Sequence, residues 1–113
     1  MILIIGARSS GKREYAASLG YLKSDMSDDV RSGCKVIYDI QDEVDKAPEK
    51  TDELFELLKK KDIVISNEVG SGVIPCTPHG RASREAAGRL LIALAGEAKS
   101  VIRMVCGIPT VIK

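Results

Sequence analysis

The strongest constraint on the fold is an apolar strand that runs directly into a glycine-rich loop. Residues 2–5 are four consecutive apolar side chains without polar alternation, and Gly6-Ala-Arg-Ser-Ser-Gly11-Lys12-Arg13 follows at once. An unbroken run of this kind is typical of a strand buried on both faces of a sheet. The next segment matches G-x-x-x-x-G-K, the phosphate-binding loop, whose final position is normally Ser or Thr. The two together predict a strand, a phosphate loop and a helix.

We expect the whole loop to contact a nucleotide. Glycines let successive backbone N–H groups face an anion, the following helix adds its positive N-terminus, and Lys12 brings a mobile cation to the β- and γ-phosphates. The predicted nucleotide-binding residues are Gly6, Ala7, Arg8, Ser9, Ser10, Gly11, Lys12 and Arg13. The alternative interpretation is an ordinary glycine-rich turn between a strand and a helix.

Position 13 departs from this motif. A hydroxyl there normally ligates Mg²⁺, and a guanidinium cannot. Either another residue holds the metal, or Arg13 itself neutralises phosphate charge, or catalysis is lost while binding persists. Ser10 offers a hydroxyl in the same loop. Asp39, near the end of the second predicted strand, is the candidate ligand for Mg²⁺ or its bound water, with a plain polar strand-end residue as the alternative.

The order of elements predicts an α/β fold. Strands are predicted at 2–5, 35–40, 63–65 and 101–106, with a short fifth at 110–113; helices are predicted at 14–22, from Pro48 to near 59–61, and at 81–98. Strands separated by helices form right-handed crossovers and a parallel sheet covered on both sides. We therefore expect residues 1–113 to form one nucleotide-binding domain with a three-layer phosphate-loop fold and a mainly parallel central sheet.

Composition excludes several other classes. Of 113 residues, 44% are hydrophobic and 29% charged, the balance of a globular protein rather than a disordered one. The net charge of +1 and the scarcity of aromatic residues argue against a nucleic-acid partner. No apolar run approaches the roughly 20 residues of a membrane span. Three distant cysteines without a C-x-x-C spacing indicate free thiols and a cytoplasmic protein.

A second set of polar residues follows the third predicted strand. A carboxylate at Glu68 can accept the proton of a substrate hydroxyl or hold a Mg²⁺-bound water. Gly70 lets the backbone bend close to a ligand. Arg81 and Arg84 open the longest helix, where guanidiniums suit phosphate binding; a solvated helix face is the alternative. We predict Lys12 and Glu68 as catalytic residues and Asn67, Glu68, Gly70, Arg81 and Arg84 as substrate-binding residues.

These residues belong to a longer, more specific pattern. The sequence Asn67-Glu-Val-Gly-Ser-Gly-Val-Ile-Pro75 is followed by Gly80-Arg81, by Arg84-Glu-Ala-Ala-Gly-Arg89-Leu and by Gly107-Ile-Pro109. It resembles the C-terminal half of the adenosylcobinamide kinase/adenosylcobinamide-phosphate guanylyltransferase family of cobalamin biosynthesis. The Gly-Ala-Arg-Ser segment is also similar to that family's phosphate loop. The resemblance covers residues 1–22 and 62–113.

The resemblance implies phosphoryl transfer from ATP or GTP to the amino-propanol hydroxyl of a corrinoid, and a homo-oligomer. The family carries a histidine that takes up GMP covalently, but residues 14–78 contain no histidine, and His79 lies outside the family's motif for that nucleophile. We therefore expect the guanylyltransferase step to be absent. A non-catalytic nucleotide-binding relative with a regulatory or assembly role is the alternative.

Overall fold

The computed structural model describes residues 1–68 and 77–113. Within these ranges the chain forms six β-strands, four α-helices and two 3-10 turns, at Lys23–Asp25 and Pro48–Lys50. The strands are β1 (Ile2–Gly6), β2 (Met26–Ser27), β3 (Val36–Ile37), β4 (Ile63–Asn67), β5 (Ser100–Val105) and β6 (Ile108–Val111). The helices are α1 (Lys12–Ser18), α2 (Ile40–Lys46), α3 (Thr51–Leu58) and α4 (Pro78–Glu97).

The strands form one sheet in the order β2-β3-β4-β1-β5-β6. β1 lies in the middle and pairs in parallel with both β4 and β5, so that its last residue, Gly6, stands opposite Asn67 and Met104. Only the β5–β6 pair is antiparallel among the strands described. The predicted mainly parallel α/β sheet is confirmed. The glycine loop leaves the centre of its carboxyl edge, where ligands bind in such sheets.

Helices cover both faces of this sheet. On one face α2, α3 and α4 pack in a single buried cluster against alternate residues of the strands, among them Leu3, Ile37, Val64, Val101, Ile40, Val44, Leu54, Leu58, Leu90 and Leu94. On the other face Ala16 of α1 packs in a second cluster with Ile4, Val36, Ile63, Ile65, Ile102 and Met104. The result is the three-layer arrangement that the alternation of strands and helices predicts.

The second predicted strand, residues 35–40, is wrong in its extent. β3 contains two residues, and Asp39 adopts a left-handed backbone conformation with a φ of 55° that ends extended pairing. Ile40 and Val44 lie four residues apart and are both fully buried, which is the spacing of one helix face. The segment after Asp39 is therefore α2, and the short strand β2 lies between the first predicted helix and the second predicted strand.

The remaining elements differ from prediction mainly at their ends. α1 begins at Lys12, inside the predicted loop, and α4 begins at Pro78, where Thr77 Oγ1 accepts a 2.9 Å hydrogen bond from the Gly80 amide. β6 begins at Ile108 because Cys106 and Gly107, with φ of 50° and 78°, form a two-residue turn of the kind that suits tight hairpins. In the described part of the chain, no helix is long and apolar enough to cross a membrane.

Candidate functional site

The glycine loop is held in shape by close contacts that require its two glycines. A Cβ at position 6 would lie 2.6 Å from Ser10 Oγ and 2.7 Å from the carbonyl oxygen of Met104, which is closer than atoms can approach. Gly11 has a φ of +91°, a conformation that strains any other residue. The β5–β6 turn supports the loop from outside, since the amide of Gly107 donates a 3.0 Å hydrogen bond to the carbonyl of Ser10.

Lys12 folds back over this loop. Its Nζ donates a 2.6 Å hydrogen bond to the carbonyl of Ala7, and the residue is only 7% exposed. Burial lowers the pKa of Lys12, and the nearby carboxylate of Asp39 opposes that shift. The amine is thus a sheltered cation held at the loop itself, in the place that a phosphate-loop lysine needs.

Ser10 contributes a hydroxyl without a partner. Its Oγ is buried and makes no hydrogen bond to the residues described, although the backbone of Ser10 is bonded to both Ala7 and Gly107. A buried hydroxyl of this kind is costly unless something satisfies it. It is a candidate contact for an anion or a hydrated cation bound at the loop.

The loop forms one wall of a cleft of about 600 Å³, which we call the phosphate cleft. The cleft is also lined by Asp39, Gln41 and Asp42 at the start of α2 and by Asn67 at the end of β4. Its described lining is Arg8, Ser9, Ser10, Gly11, Lys12, Arg13, Glu14, Asp39, Gln41, Asp42, Ile65 and Asn67. The topology therefore brings most of the predicted nucleotide-binding residues, together with Asp39 and Asn67, to one concave site.

Gln41 is a site residue that sequence reasoning missed. Its Oε1 accepts a 3.1 Å hydrogen bond from the Asn67 amide, and its Nε2 lies 3.4 Å from Asp39 Oδ1. The side chain thus ties the start of α2 to the end of β4 across the cleft. It was missed because the sequence predicted a strand at 35–40 and did not predict α2, the helix that carries Gln41.

Arg13 does not take the position of the hydroxyl that it replaces. Its guanidinium lies 4.7 Å from the centre of the Tyr38 ring, a cation–π contact at the side of the phosphate cleft. The residue is exposed and lines the cleft, so its charge acts on a bound anion. A guanidinium at this position cannot ligate a metal ion.

Glu68 lies beside the cleft but is not among its described lining residues. Its carboxylate forms a two-point ion pair with Arg103 of β5, at 2.5 Å from Nε and 3.1 Å from Nη2. The backbone amide of Glu68 donates to the carbonyl of Gly6, which fixes this residue at the root of the loop. The pair crosses β1, because β4 and β5 flank that strand on its two sides. Sequence reasoning did not foresee Arg103.

The other predicted substrate-binding residues are only partly placed. Arg81 and Arg84 lie in the first two turns of α4, outside the described lining of the phosphate cleft, and both make further contacts in the structure. Gly70 lies outside the described residues. The structure accordingly separates a phosphate cleft, which contains Asn67, from the edge that carries Glu68 and the α4 arginines.

Comparison with known proteins identifies the family. A family model described as cobinamide kinase/cobinamide phosphate guanyltransferase matches residues 26–112. The chain belongs to that family. The enzymes of this cobinamide kinase family are nucleotide-using transferases of cobalamin synthesis, and their fold is of the phosphate-loop type. The matched segment does not include the glycine loop, whose assignment depends on its own sequence and geometry. No individual curated protein matches the sequence.

A Mg²⁺ ion bound together with a nucleotide would need oxygen donors in the cleft. The described lining carries the hydroxyls of Ser9 and Ser10, the carboxylates of Glu14, Asp39 and Asp42, and the side-chain amide oxygens of Gln41 and Asn67. Across residues 1–68 and 77–113, no three His, Cys, Asp or Glu residues are placed to hold an ion by themselves. Such a donor set fits an ion that keeps most of its waters and is held by one or two carboxylates and the substrate's phosphates.

His79 is the one histidine of the sequence, and the structure places it away from the described lining of the phosphate cleft. His79 lies in the first turn of α4, and its Nε2 is 2.8 Å from the carbonyl of Asp45. Both the His79 and the Asp45 side chains are more than half exposed. The structure thus places His79 against α2 and outside the described lining of the cleft.

Proposed function

We propose that the protein binds ATP or GTP in the phosphate cleft and transfers the γ-phosphoryl group to the amino-propanol hydroxyl of a corrinoid. The observation that carries this proposal is the buried Lys12 amine, which donates a hydrogen bond to the Ala7 carbonyl of the glycine loop. The same loop contains the Ser10 hydroxyl, which has no partner among the described residues. The family supports the reaction type, since its members are nucleotide-using transferases of cobalamin synthesis.

Binding begins with the anion at the loop. Backbone N–H groups of residues 7–12 and the N-terminus of α1 attract the phosphates, and Lys12 exchanges its bond to Ala7 for a charge-assisted bond to a phosphate oxygen. Ser10 Oγ gains the partner that it lacks in the described structure. Asp39 and Asp42 would hold a hydrated Mg²⁺ in the cleft, and the ion would supply positive charge to neutralise the phosphates.

Transfer then needs a group that takes the acceptor's proton. The bond from the γ-phosphorus to the bridging oxygen breaks, the acceptor oxygen bonds to phosphorus, and the hydroxyl proton passes to the Glu68 carboxylate. Arg103 holds that carboxylate in a fixed orientation through its two hydrogen bonds. Asn67, one residue earlier, lines the cleft, so that an acceptor bound at Glu68 would lie next to the phosphates. Arg81 and Arg84 are proposed to contact the corrinoid.

Lys12→Ala tests the proposal at its first step. We expect calorimetry to show ATP or GTP binding to the intact chain, and a loss of about ten- to hundredfold in affinity for the variant, because one charge-assisted contact is removed. Lys60→Ala, at an exposed position after α3, is the matched control and should bind as the wild type does. Absence of triphosphate binding to the intact chain at millimolar concentration would end the phosphate-loop interpretation.

A second candidate function is nucleotide binding without catalysis, in a regulatory or assembly role. One observation favours it: the residue in the metal-ligating position of the loop is Arg13, and it contacts Tyr38. A transfer assay with γ-labelled ATP and a corrinoid acceptor distinguishes the two functions. If the protein binds nucleotide in the presence of Mg²⁺ but transfers no phosphoryl group, the result supports the non-catalytic function.

A further inference from the structure

A second pocket lies beside the phosphate cleft. It has a volume of about 440 Å³ and is lined by Arg13, Glu14, Ala17, Lys23, Met26 and Tyr38. Arg13 and Glu14 line both this pocket and the phosphate cleft, so the two spaces meet at the first turn of α1. We call the second space the side pocket.

The side pocket has planar and apolar walls. The Tyr38 ring and the Arg13 guanidinium face each other at 4.7 Å, and the backbone of Tyr38 is fixed to the sheet by a 3.0 Å hydrogen bond from its amide to the carbonyl of Ser27. Met26 of β2 and Ala17 of α1 add apolar surface. Aromatic rings and guanidinium planes are the groups on which nucleobases stack.

We propose that the side pocket holds the base of the nucleotide whose phosphates occupy the glycine loop. The inference rests on the proposed nucleotide binding and adds the residues that recognise the base. Arg13 and Glu14 line both spaces, so a base joined to loop-bound phosphates can lie in the adjoining pocket. Lys23 and Glu14 bring a donor and an acceptor to it, which suits the edge of a heterocycle better than a hydrocarbon.

This assignment gives Arg13 a role at the junction of the two spaces. Its guanidinium contacts the Tyr38 ring and so positions the aromatic surface on which the base stacks, while its charge remains beside the phosphate cleft. The residue that replaces the metal-ligating hydroxyl thus contributes to base recognition, which Ser or Thr at this position would not do.

Inorganic tripolyphosphate separates base binding from phosphate binding, because it carries the phosphates alone. For Tyr38→Leu we expect the affinity for ATP and GTP to fall about five- to hundredfold, from the loss of one stacking contact. Tripolyphosphate should bind Tyr38→Leu at least as well as the wild type, since the Arg13 charge is kept. Tyr38→Phe, which keeps the ring, should behave as the wild type with both ligands.

A second variant covers the case in which Tyr38→Leu unfolds. Ala17 is exposed on α1, and Ala17→Gln would fill the side pocket with a neutral side chain without removing a buried contact. It should weaken nucleotide binding and leave tripolyphosphate binding unchanged. Unchanged nucleotide affinity in the folded variants, or an equal loss for both ligands, would overturn the assignment of the base. If neither ligand binds the wild type, the proposed nucleotide binding fails, and the base site with it.

Discussion

Lys12 and Arg13 are neighbours in the sequence but act on different parts of the site. The first is buried on the loop carbonyl of Ala7, whereas the second is exposed and stacks on Tyr38. At an effective dielectric near 20, two unit charges a few ångströms apart interact by several kcal/mol, so Arg13 can supply much of a metal's attraction for the ground-state triphosphate. It cannot bridge the β- and γ-oxygens as charge moves during transfer.

We therefore predict nucleotide binding that depends little on Mg²⁺, together with slow phosphoryl transfer. Arg13→Ser should make binding depend on Mg²⁺ and should raise any transfer rate, because the loop then offers a metal-ligating hydroxyl. Titrations with ATP and GTP, with and without Mg²⁺, measure the first effect. Wild-type binding that already requires Mg²⁺, with no further gain in Arg13→Ser, would show that the ion proposed at Asp39 and Asp42, and not the Arg13 charge, supplies the attraction for the triphosphate.

The pH dependence of binding follows from Lys12. Burial lowers the pKa of Lys12, so its charged form is lost at a lower pH than that of an exposed lysine. Phosphate binding uses the charged form, and nucleotide affinity should therefore fall as the pH rises through this lowered pKa. Lys12→Ala should bind weakly but without that alkaline decline. A decline of equal size in Lys12→Ala would assign it to another group.

Glu68 separates binding from chemistry. The proposed base lies outside the described lining of the phosphate cleft, in an ion pair with Arg103. Glu68→Gln should therefore leave nucleotide affinity within about twofold of the wild type while transfer falls by about 10²–10⁴, the usual contribution of a general base. Transfer at the wild-type rate in a folded Glu68→Gln protein would remove Glu68 from the mechanism.

At the residue scale, the sequence predicted the loop and not its partners. The positions of Gly6, Gly11 and Lys12 follow from a local motif, because a strand, a tight turn and a helix suffice to define them. The contacts of Arg13 with Tyr38 and of Glu68 with Arg103 join residues 25 and 35 positions apart, and depend on the order of the strands. No spacing in the sequence encodes that order.

Among the elements, the β5–β6 hairpin supports the glycine loop from outside. The Gly107 amide bonds to the Ser10 carbonyl, and a Cβ on Gly11 would lie 3.3 Å from Gly107 Cα. The sequence indicated this turn through Gly107-Ile-Pro109 but placed the last strand two residues late. It also missed α2, because Val36-Ile37-Tyr38 reads as a strand and gives no sign that Asp39 turns into the left-handed region and ends it.

Gly107→Ala tests the hairpin. Gly107 has a φ of +78° with no atom within 4 Å of an added Cβ, so the cost comes from the backbone alone, about 1–2 kcal/mol. Gly88→Ala, inside α4 and equally free of contacts, is the matched control and should stabilise by roughly 0.5–1 kcal/mol. Denaturant unfolding measures both. A Gly107→Ala protein as stable as the wild type would mean that the turn relaxes.

The whole molecule combines two independent lines of support for the site. The family match covers residues 26–112, while the phosphate loop precedes it, and the sheet order brings the two together by placing β1 between β4 and β5. The fold class could be predicted because strands alternate with helices along the chain. The organisation of residues 1–113 as one domain and the homo-oligomer stay predictions.

A histidine-linked guanylyl intermediate is the remaining reaction to test at this scale. The chain contains a single histidine, His79, at the start of α4. It contacts the carbonyl of Asp45 in α2 and is not among the described residues that line the phosphate cleft. Transfer of GMP would need this imidazole to attack the α-phosphorus of a nucleotide bound in that cleft. We therefore predict that incubation with α-labelled GTP leaves the denatured protein unlabelled. Lys12→Ala provides the background level of label in this assay, since it weakens binding without altering His79. The opposite result would be label that stays on the denatured wild-type protein, is released by acid and is absent from His79→Ala. It would show that the nucleophile has moved to α4 and that the guanylyl step persists.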